Sequence, residues 1–147
     1  MEKTFHMLLY RAFHAQRGAL RPCLAEVGLG TGQPKLLGYL SKKGPSRQRQ
    51  LADYFEIDPA AVCRMLDSLE KGGFVTRCID GQDKRRDRVE VTPAGRTAYD
   101  AWRSCCCSME ERMLDGFTQE ERERFADYLS RAYRNLKAAG EGQPCGN

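Results

Sequence analysis

The sequence lacks any apolar run long enough to cross a bilayer, which takes about 20 residues in a helix. Its longest apolar stretches are short, as at Met7–Tyr10. The first residues include Glu2, Lys3 and His6 and form no apolar core of a secretory signal. We therefore expect no membrane partner and a cytoplasmic location.

Histidine is scarce, and the seven cysteines contain no Cys-x-x-Cys pair. A zinc site built from His6, His14 and Cys23 would be short of ligands, so we predict no metal and no cofactor. The sequence also has no glycine-rich phosphate loop and no recognisable pair of catalytic carboxylates. We expect no enzyme activity; a cysteine nucleophile remains an alternative, although neither histidine is near a candidate thiol in the sequence.

The seven cysteines are an odd number, and in a cytoplasmic protein they are expected to be thiols rather than a disulfide framework. Cys105, Cys106 and Cys107 would point about 100° apart on a helix, with Cys105 in the core. Cys63 is next to the cation Arg64, a neighbour that is typical of reactive cysteines. Cys106 or Cys107 could meet the same region of a dimer partner. Thiol redox sensing, which rests mainly on the surroundings of Cys63, is a second alternative.

The chain has 147 residues, of which 41% are apolar and 30% charged, as in one ordinary globular domain. Its net charge of +4 permits an anionic partner without requiring one. Where the cations lie therefore matters more than their total.

Six helices are predicted from apolar spacing and capping residues. The first covers Glu2–Gly18, and a connector containing Pro22 follows. Thr31 is expected to begin the second helix, and Ser46 to cap the third, at Arg47–Phe55.

Asp58-Pro59 is a strong start signal for the fourth helix, which Gly72-Gly73 ends. Period-two patterns predict strands at Phe74–Ile79 and Arg88–Thr92, joined by a polar tip at Asp80–Asp87. Thr92-Pro93 begins a fifth helix, and the capping box at Thr118–Glu121 begins a sixth.

This order predicts a mainly α fold with a small β-hairpin wing, as one domain over 1–147. Residues 33–92 would form a winged helix-turn-helix, residues 1–20 and 93–139 a helical dimerisation region, and 140–147 a flexible tail.

The outward face of the fourth helix carries small and basic residues suited to a DNA groove. Ala60 or Ala61 can contact a thymine methyl, and Arg64 can bind a guanine or a phosphate. The basic hairpin tip suits a minor groove, and Asp83 can hold Arg85 or Arg86 by an ion pair. The predicted DNA-binding residues are Ser46, Arg47, Arg49, Ala60, Ala61, Arg64, Ser68, Lys84, Arg85 and Arg86.

Four segments together resemble the MarR family of transcriptional regulators: Leu51–Phe55, Val62–Val75, Asp83–Arg86 and Val91–Gly95. The combination of Leu-Glu-x-x-Gly, Asp-x-Arg and Thr-x-x-Gly is specific at these spacings, and the resemblance runs from about Phe5 to Ala139. Glu56 departs from it, because the turn before the fourth helix usually has glycine or a small polar residue.

The resemblance implies a homodimer joined by the first, fifth and sixth helices, with Arg85 in the minor groove of double-stranded DNA. It also implies control by a small-molecule effector or an oxidant, and most often repression at a palindromic operator. Phe13, Tyr39 and Trp102 are expected in the core rather than in a ligand cleft. An interaction dimer that has lost DNA binding is a third alternative.

Overall fold

The computed structural model describes residues 4–80 and 83–141, and their side chains except at 79–80, 83–87 and 141. The elements are α1 (Phe5–Val27), α2 (Gln33–Lys43), β1 (Ser46–Arg47), α3 (Gln48–Phe55), α4 (Pro59–Lys71), β2 (Val75–Asp80), β3 (Asp83–Val91), α5 (Pro93–Met113) and α6 (Gln119–Glu141). The mainly α fold with a small wing is confirmed. No helix among the described residues is long and apolar enough to cross a membrane.

The chain divides into two compact units, Met1–Met109 and Glu110–Asn147. The core of the first unit lies where α2, α3 and α4 pack on the sheet. Among the side chains that the structure describes, the largest fully buried ones are all aliphatic: Leu36, Leu37, Leu40, Leu51, Val62, Leu66, Leu69, Val75 and Val89. These are the apolar stripes that the helical and strand periods predict.

The capping residues predicted for three helices are confirmed. The Asp58 carboxylate accepts from the Ala61 N–H at 3.2 Å, and the Thr92 hydroxyl accepts from the Gly95 N–H at 3.1 Å. Thr118 and Glu121 form the complete capping box, with bonds of 2.8 and 3.2 Å. Each cap satisfies N–H groups that the first helical turn leaves without partners.

The prediction that the first helix ends at Gly18 is wrong, because α1 continues through Pro22 to Val27. Proline removes one backbone hydrogen bond, but the next residues hold the helix by packing: Cys23 is buried, and Leu24 and Val27 contact the core. The helix ends at Gly28, whose φ of 76° lets Leu29 N–H donate to the Leu24 carbonyl at 3.0 Å.

Two other predicted helix starts are wrong. The second helix begins at Gln33 after Gly32 rather than at Thr31, with Pro34 in its first turn. Ser46 does not cap the third helix, because Ser46 and Arg47 form β1 and pair with Val89 and Arg88 of β3. A pairing this distant in sequence leaves no local signal.

The sheet has the order β1-β3-β2, and both pairings are antiparallel. The predicted polar tip over Asp80–Asp87 is too long, because β3 already begins at Asp83 and pairs with Asp80. The wing is therefore a longer ribbon, and residues 84–86 belong to β3, the central strand of the sheet. Of the predicted tail, Gly140 and Glu141 belong to α6, and 142–147 lie outside the described residues.

Candidate nucleic-acid interface

One face of α4 is anchored in the core and the other is open. Val62, Leu66 and Leu69 are completely buried. On the outward face Ala60, Arg64 and Ser68 are exposed, and Ala61 is half-buried beneath the Asp58 cap. A helix fixed on one side with small residues near its N-terminus can approach base edges closely.

The start of α3 adds cations. Arg47 and Arg49 are exposed, and Arg49 makes a 3.9 Å ion pair with Asp53. Both partners of that pair are largely exposed, so the pair is weak and leaves the guanidinium available to an anion.

The strand β1 brings together two arginines that are distant in the sequence. Arg47 lies directly opposite the exposed Arg88 of β3. Like charges in that position destabilise a sheet, whereas a neighbouring phosphate would neutralise them. Ser46 takes a different place: it is 6% exposed and its hydroxyl donates to the Gly44 carbonyl at 2.9 Å. Its role in the structure is to shape the entry to β1.

The predicted wing residues Lys84, Arg85 and Arg86, with Asp83, lie on the backbone of β3. Their side chains are outside the described part of the chain. The proposed ion pair from Asp83 and the groove contact of Arg85 therefore remain predictions.

Arg77 connects the wing to α4, and sequence reasoning did not single it out. From β2 its guanidinium reaches α4, donating to the Cys63 carbonyl at 3.3 Å and pairing with Asp67 at 2.9 Å. The Arg77 side chain is 14% exposed and the Asp67 side chain 57%, so the ion pair is shielded from water on the arginine side only. Arg77 thus ties the wing to the outward-facing helix. The only sign of this role in the sequence is that Arg77 is the one charged residue within the strand-forming run Val75–Ile79.

A cavity of about 370 Å³ opens in the first unit between α1, α2 and α5. Part of its lining is apolar, including Phe13 and Trp102, which the sequence placed in the core. The prediction is wrong for Phe13, which is 55% exposed. The lining also includes three cations: Arg17, Arg21 and Lys35. Apolar walls with a few converging charges are typical of small-molecule sites.

The expectation that all the cysteines are thiols is wrong. Cys23 of α1 and Cys105 of α5 form a disulfide, with their Cα atoms 6.5 Å apart. The two residues are 82 positions apart, and the pairing depends on how α1 and α5 meet, which no spacing rule shows. Because Cys23 is in a disulfide, it is not available as the zinc ligand considered above. Cys105, expected to be a core thiol, is the other half of the same bond.

The protein resembles known regulators in sequence and in structure. The family model described as "MarR family" matches residues 27–86. The HTH-type transcriptional regulator YwoH of Bacillus subtilis (strain 168), itself uncharacterized, is 30% identical over 103 residues, which are 70% of this chain and 74% of YwoH. The chain belongs to the MarR family.

Two further likenesses support the MarR assignment. The HTH-type transcriptional repressor YetL of the same organism is 26% identical over 111 residues, covering 74% of this chain and 66% of YetL. The crystal structure of a MarR-family regulator from Silicibacter pomeroyi is 30% identical, with a TM-score of 0.71 and coverage of 88% of this chain and 87% of that one. This MarR-family protein is thus a transcriptional regulator with a DNA-binding winged helix-turn-helix fold, and its relatives are named as regulators rather than as enzymes.

Proposed function

We propose that this protein is a repressor that binds a palindromic DNA operator as a homodimer. A small ligand with an apolar body and an anionic group releases it from the DNA. The open face of α4 supports the DNA contact most directly, because Arg64 and Ser68 project from a helix whose other face is locked in the core. The repressor role is supported by the likeness to YetL.

Each part of the interface has a distinct contact in this proposal. Arg64 binds a guanine edge or a phosphate in the major groove, and Ala60 or Ala61 contacts a thymine methyl. Arg47, Arg49 and the newly recognised Arg88 neutralise phosphates. At the wing, Arg85 enters the minor groove with Asp83 holding the ribbon tip, and Lys84 and Arg86 flank it.

A homodimer is supported by apolar side chains that face solvent in a single chain. On α6, Phe125, Leu129 and Leu136 repeat along one face and are 37%, 44% and 71% exposed. None of the side chains described at 119–140 is buried. A helix with such a stripe normally buries it against another helix, and a second copy of α6 provides an equivalent stripe.

The cavity supports control by an effector. Its apolar walls at Phe13, Leu24 and Trp102 suit an aromatic or aliphatic body, and the cations Arg17 and Lys35 suit an anionic group. Lys35 lies in the first turn of α2, so a ligand bound there contacts the winged module directly. The ligand can shift the module away from its DNA-binding conformation only if it binds the two conformations of the protein with different affinities.

The test is a mobility-shift titration with DNA flanking the protein's own gene, at several salt concentrations. We expect specific binding whose affinity falls steeply with salt, because bound phosphates release counterions. Arg64→Gln should weaken specific binding about 10- to 100-fold. Arg103→Gln, which removes an exposed cation from α5, should leave the affinity within about twofold.

Two outcomes would count against the proposal. Equal affinity for the flanking DNA and for a random duplex would favour an interaction dimer that has lost sequence-specific binding. An Arg64→Gln variant as tight as the wild type would show that α4 is not the contacting helix.

A further inference from the structure

The Cys23–Cys105 bond joins the two helices on either side of the winged module. The chain between these cysteines contains α2, β1, α3, α4 and the β2–β3 ribbon. The whole winged module is therefore part of one loop of chain that the disulfide closes covalently. A change at this single bond alters how that region is held between α1 and α5.

Apart from this bond, α1 is only lightly anchored in the first unit. Over its 23 described residues Cys23 alone is buried, and Leu24 and Val27 are half-buried against the core. Further toward the N-terminus, Leu9 and Phe13 are more than half exposed. Within one chain α1 therefore has few buried apolar contacts besides this bond, so the disulfide contributes a large share of the attachment between α1 and α5 of the same chain.

The same bond lies beside the cavity. Leu20 and Leu24 flank Cys23 on α1, and Trp102 lies one helical turn before Cys105 on α5; all three line the cavity. The two walls that these residues form are the ones that the disulfide holds together. Breaking it frees one wall to move relative to the other.

We propose that Cys23 and Cys105 are a reversible thiol–disulfide site that exchanges with low-molecular-weight disulfides and sets the shape of the cavity. The oxidised pair holds α1 against α5 with the cavity formed, and the reduced pair lets the wall open. The effect of the disulfide on the affinity for an effector rests on the proposed function. The thiol–disulfide exchange and the change in the cavity do not depend on it.

The exchange balances in two steps. The thiolate of Cys105, which is half-buried and the more accessible of the pair, attacks one sulfur of a small disulfide, and the first small thiolate leaves. The Cys23 thiolate then attacks the Cys105 sulfur, and the second small thiolate leaves. Two protein thiols lose two electrons and two protons, and one small disulfide becomes two thiols.

The protein contains its own reporter, because Trp102 is the only tryptophan in the sequence. The intact protein is equilibrated with defined ratios of reduced and oxidised glutathione, and peptide mass mapping follows the Cys23–Cys105 link. Acrylamide quenching of Trp102 then measures access to the cavity wall. Binding of 2-naphthoate, an aromatic anion used as a probe, is measured by energy transfer from Trp102.

In the reduced wild type we expect about twofold stronger quenching and about tenfold weaker naphthoate binding than in the oxidised protein, a typical size for coupling between sites. Cys23→Ser should resemble the reduced wild type in every buffer. Cys107→Ser, which removes an exposed thiol two positions from Cys105, should respond like the wild type.

The proposal is overturned if no Cys23–Cys105 link forms at any glutathione ratio, or if glutathione cannot reduce it in the folded protein. Equal quenching of Trp102 in the two states would also overturn it. Naphthoate that binds neither state, while quenching changes, would reject the effector cavity and leave the thiol site standing. If neither the oxidised nor the reduced protein binds DNA in the mobility-shift titration, only the proposed repressor is rejected.

Discussion

At the scale of single residues, three helices end in the same left-handed backbone geometry, two of them at glycine and one at glutamate. Gly28 and Gly73 have φ of 76° and 77° after α1 and α4, and Glu56 has φ of 53° after α3. In each case the next residue donates back into the helix, as Ile57 does to the Ala52 carbonyl at 3.0 Å. The sequence identified Glu56 as the unusual residue of this turn, and its left-handed conformation costs about 1–2 kcal/mol.

Gly95 is needed for lack of space rather than for its backbone angle, and the restriction is stricter than at these helix ends. An added Cβ would collide with the Phe74 carbonyl oxygen and lie 2.8 Å from Val91 Cγ2. Backbone cannot move aside as a flexible side chain can, so Gly95→Ala should lower the free energy of unfolding by about 3 kcal/mol. Urea unfolding followed by circular dichroism measures the change.

The control is Gly18→Ala in α1, where an added Cβ meets nothing within 4 Å. There the same substitution should raise stability by about 0.5–1 kcal/mol, because alanine is the better helix former. If the two variants lost the same stability, crowding at Gly95 would not be the cause.

At the scale of elements, the wing depends on α4 through Arg77. From β2 the arginine bonds the Cys63 carbonyl and the Asp67 carboxylate, so the ribbon is linked directly to the helix. Arg77→Ala should cost only about 1 kcal/mol of stability, since Asp67 is 57% exposed and is rehydrated when the pair is lost. Its larger effect should be on DNA affinity, because the wing is no longer held in position.

A double-mutant cycle with Arg85→Ala separates the two effects. If Arg77 acts by positioning the wing, the double variant should bind DNA within about threefold of Arg85→Ala alone. Cys78→Ser, on the exposed side of the same strand, should change nothing. Fully additive losses would show that Arg77 does not act through the wing.

Elements with local signals were predictable from the sequence, and elements that depend on distant contacts were not. The caps at Asp58, Thr92 and Thr118 lie within a few residues of the groups they satisfy. By contrast, β1 exists only because β3 lies beside it, and α1 passes Pro22 because its next turn packs on the core.

The same division applies to the candidate site. The outward face of α4 follows from the buried stripe of Val62, Leu66 and Leu69, which the helical period reveals. The link from Arg77 to α4 joins residues up to 14 positions apart, and the Cys23–Cys105 bond spans 82. Such contacts are set by tertiary packing, so only the folded structure shows them.

At the scale of the whole molecule, the exposed apolar stripe of α6 and the basic face of the winged module make one joint prediction. In the proposed dimer through α6, each chain would contribute one copy of the module to the duplex. Leu129→Glu places a charge within the stripe and should weaken dimerisation at least about 100-fold. Ser130→Glu adds the same charge outside the stripe and should leave the dimer intact.

Hydroxyl-radical footprinting of these proteins on the DNA flanking the gene tests this arrangement most directly. The wild type and Ser130→Glu should protect two symmetric half-sites centred about one helical turn apart, with two chains bound per duplex, and Leu129→Glu should lose the paired pattern. A single protected patch from the wild type, or one chain per duplex, would contradict a dimeric regulator of transcription built in this way.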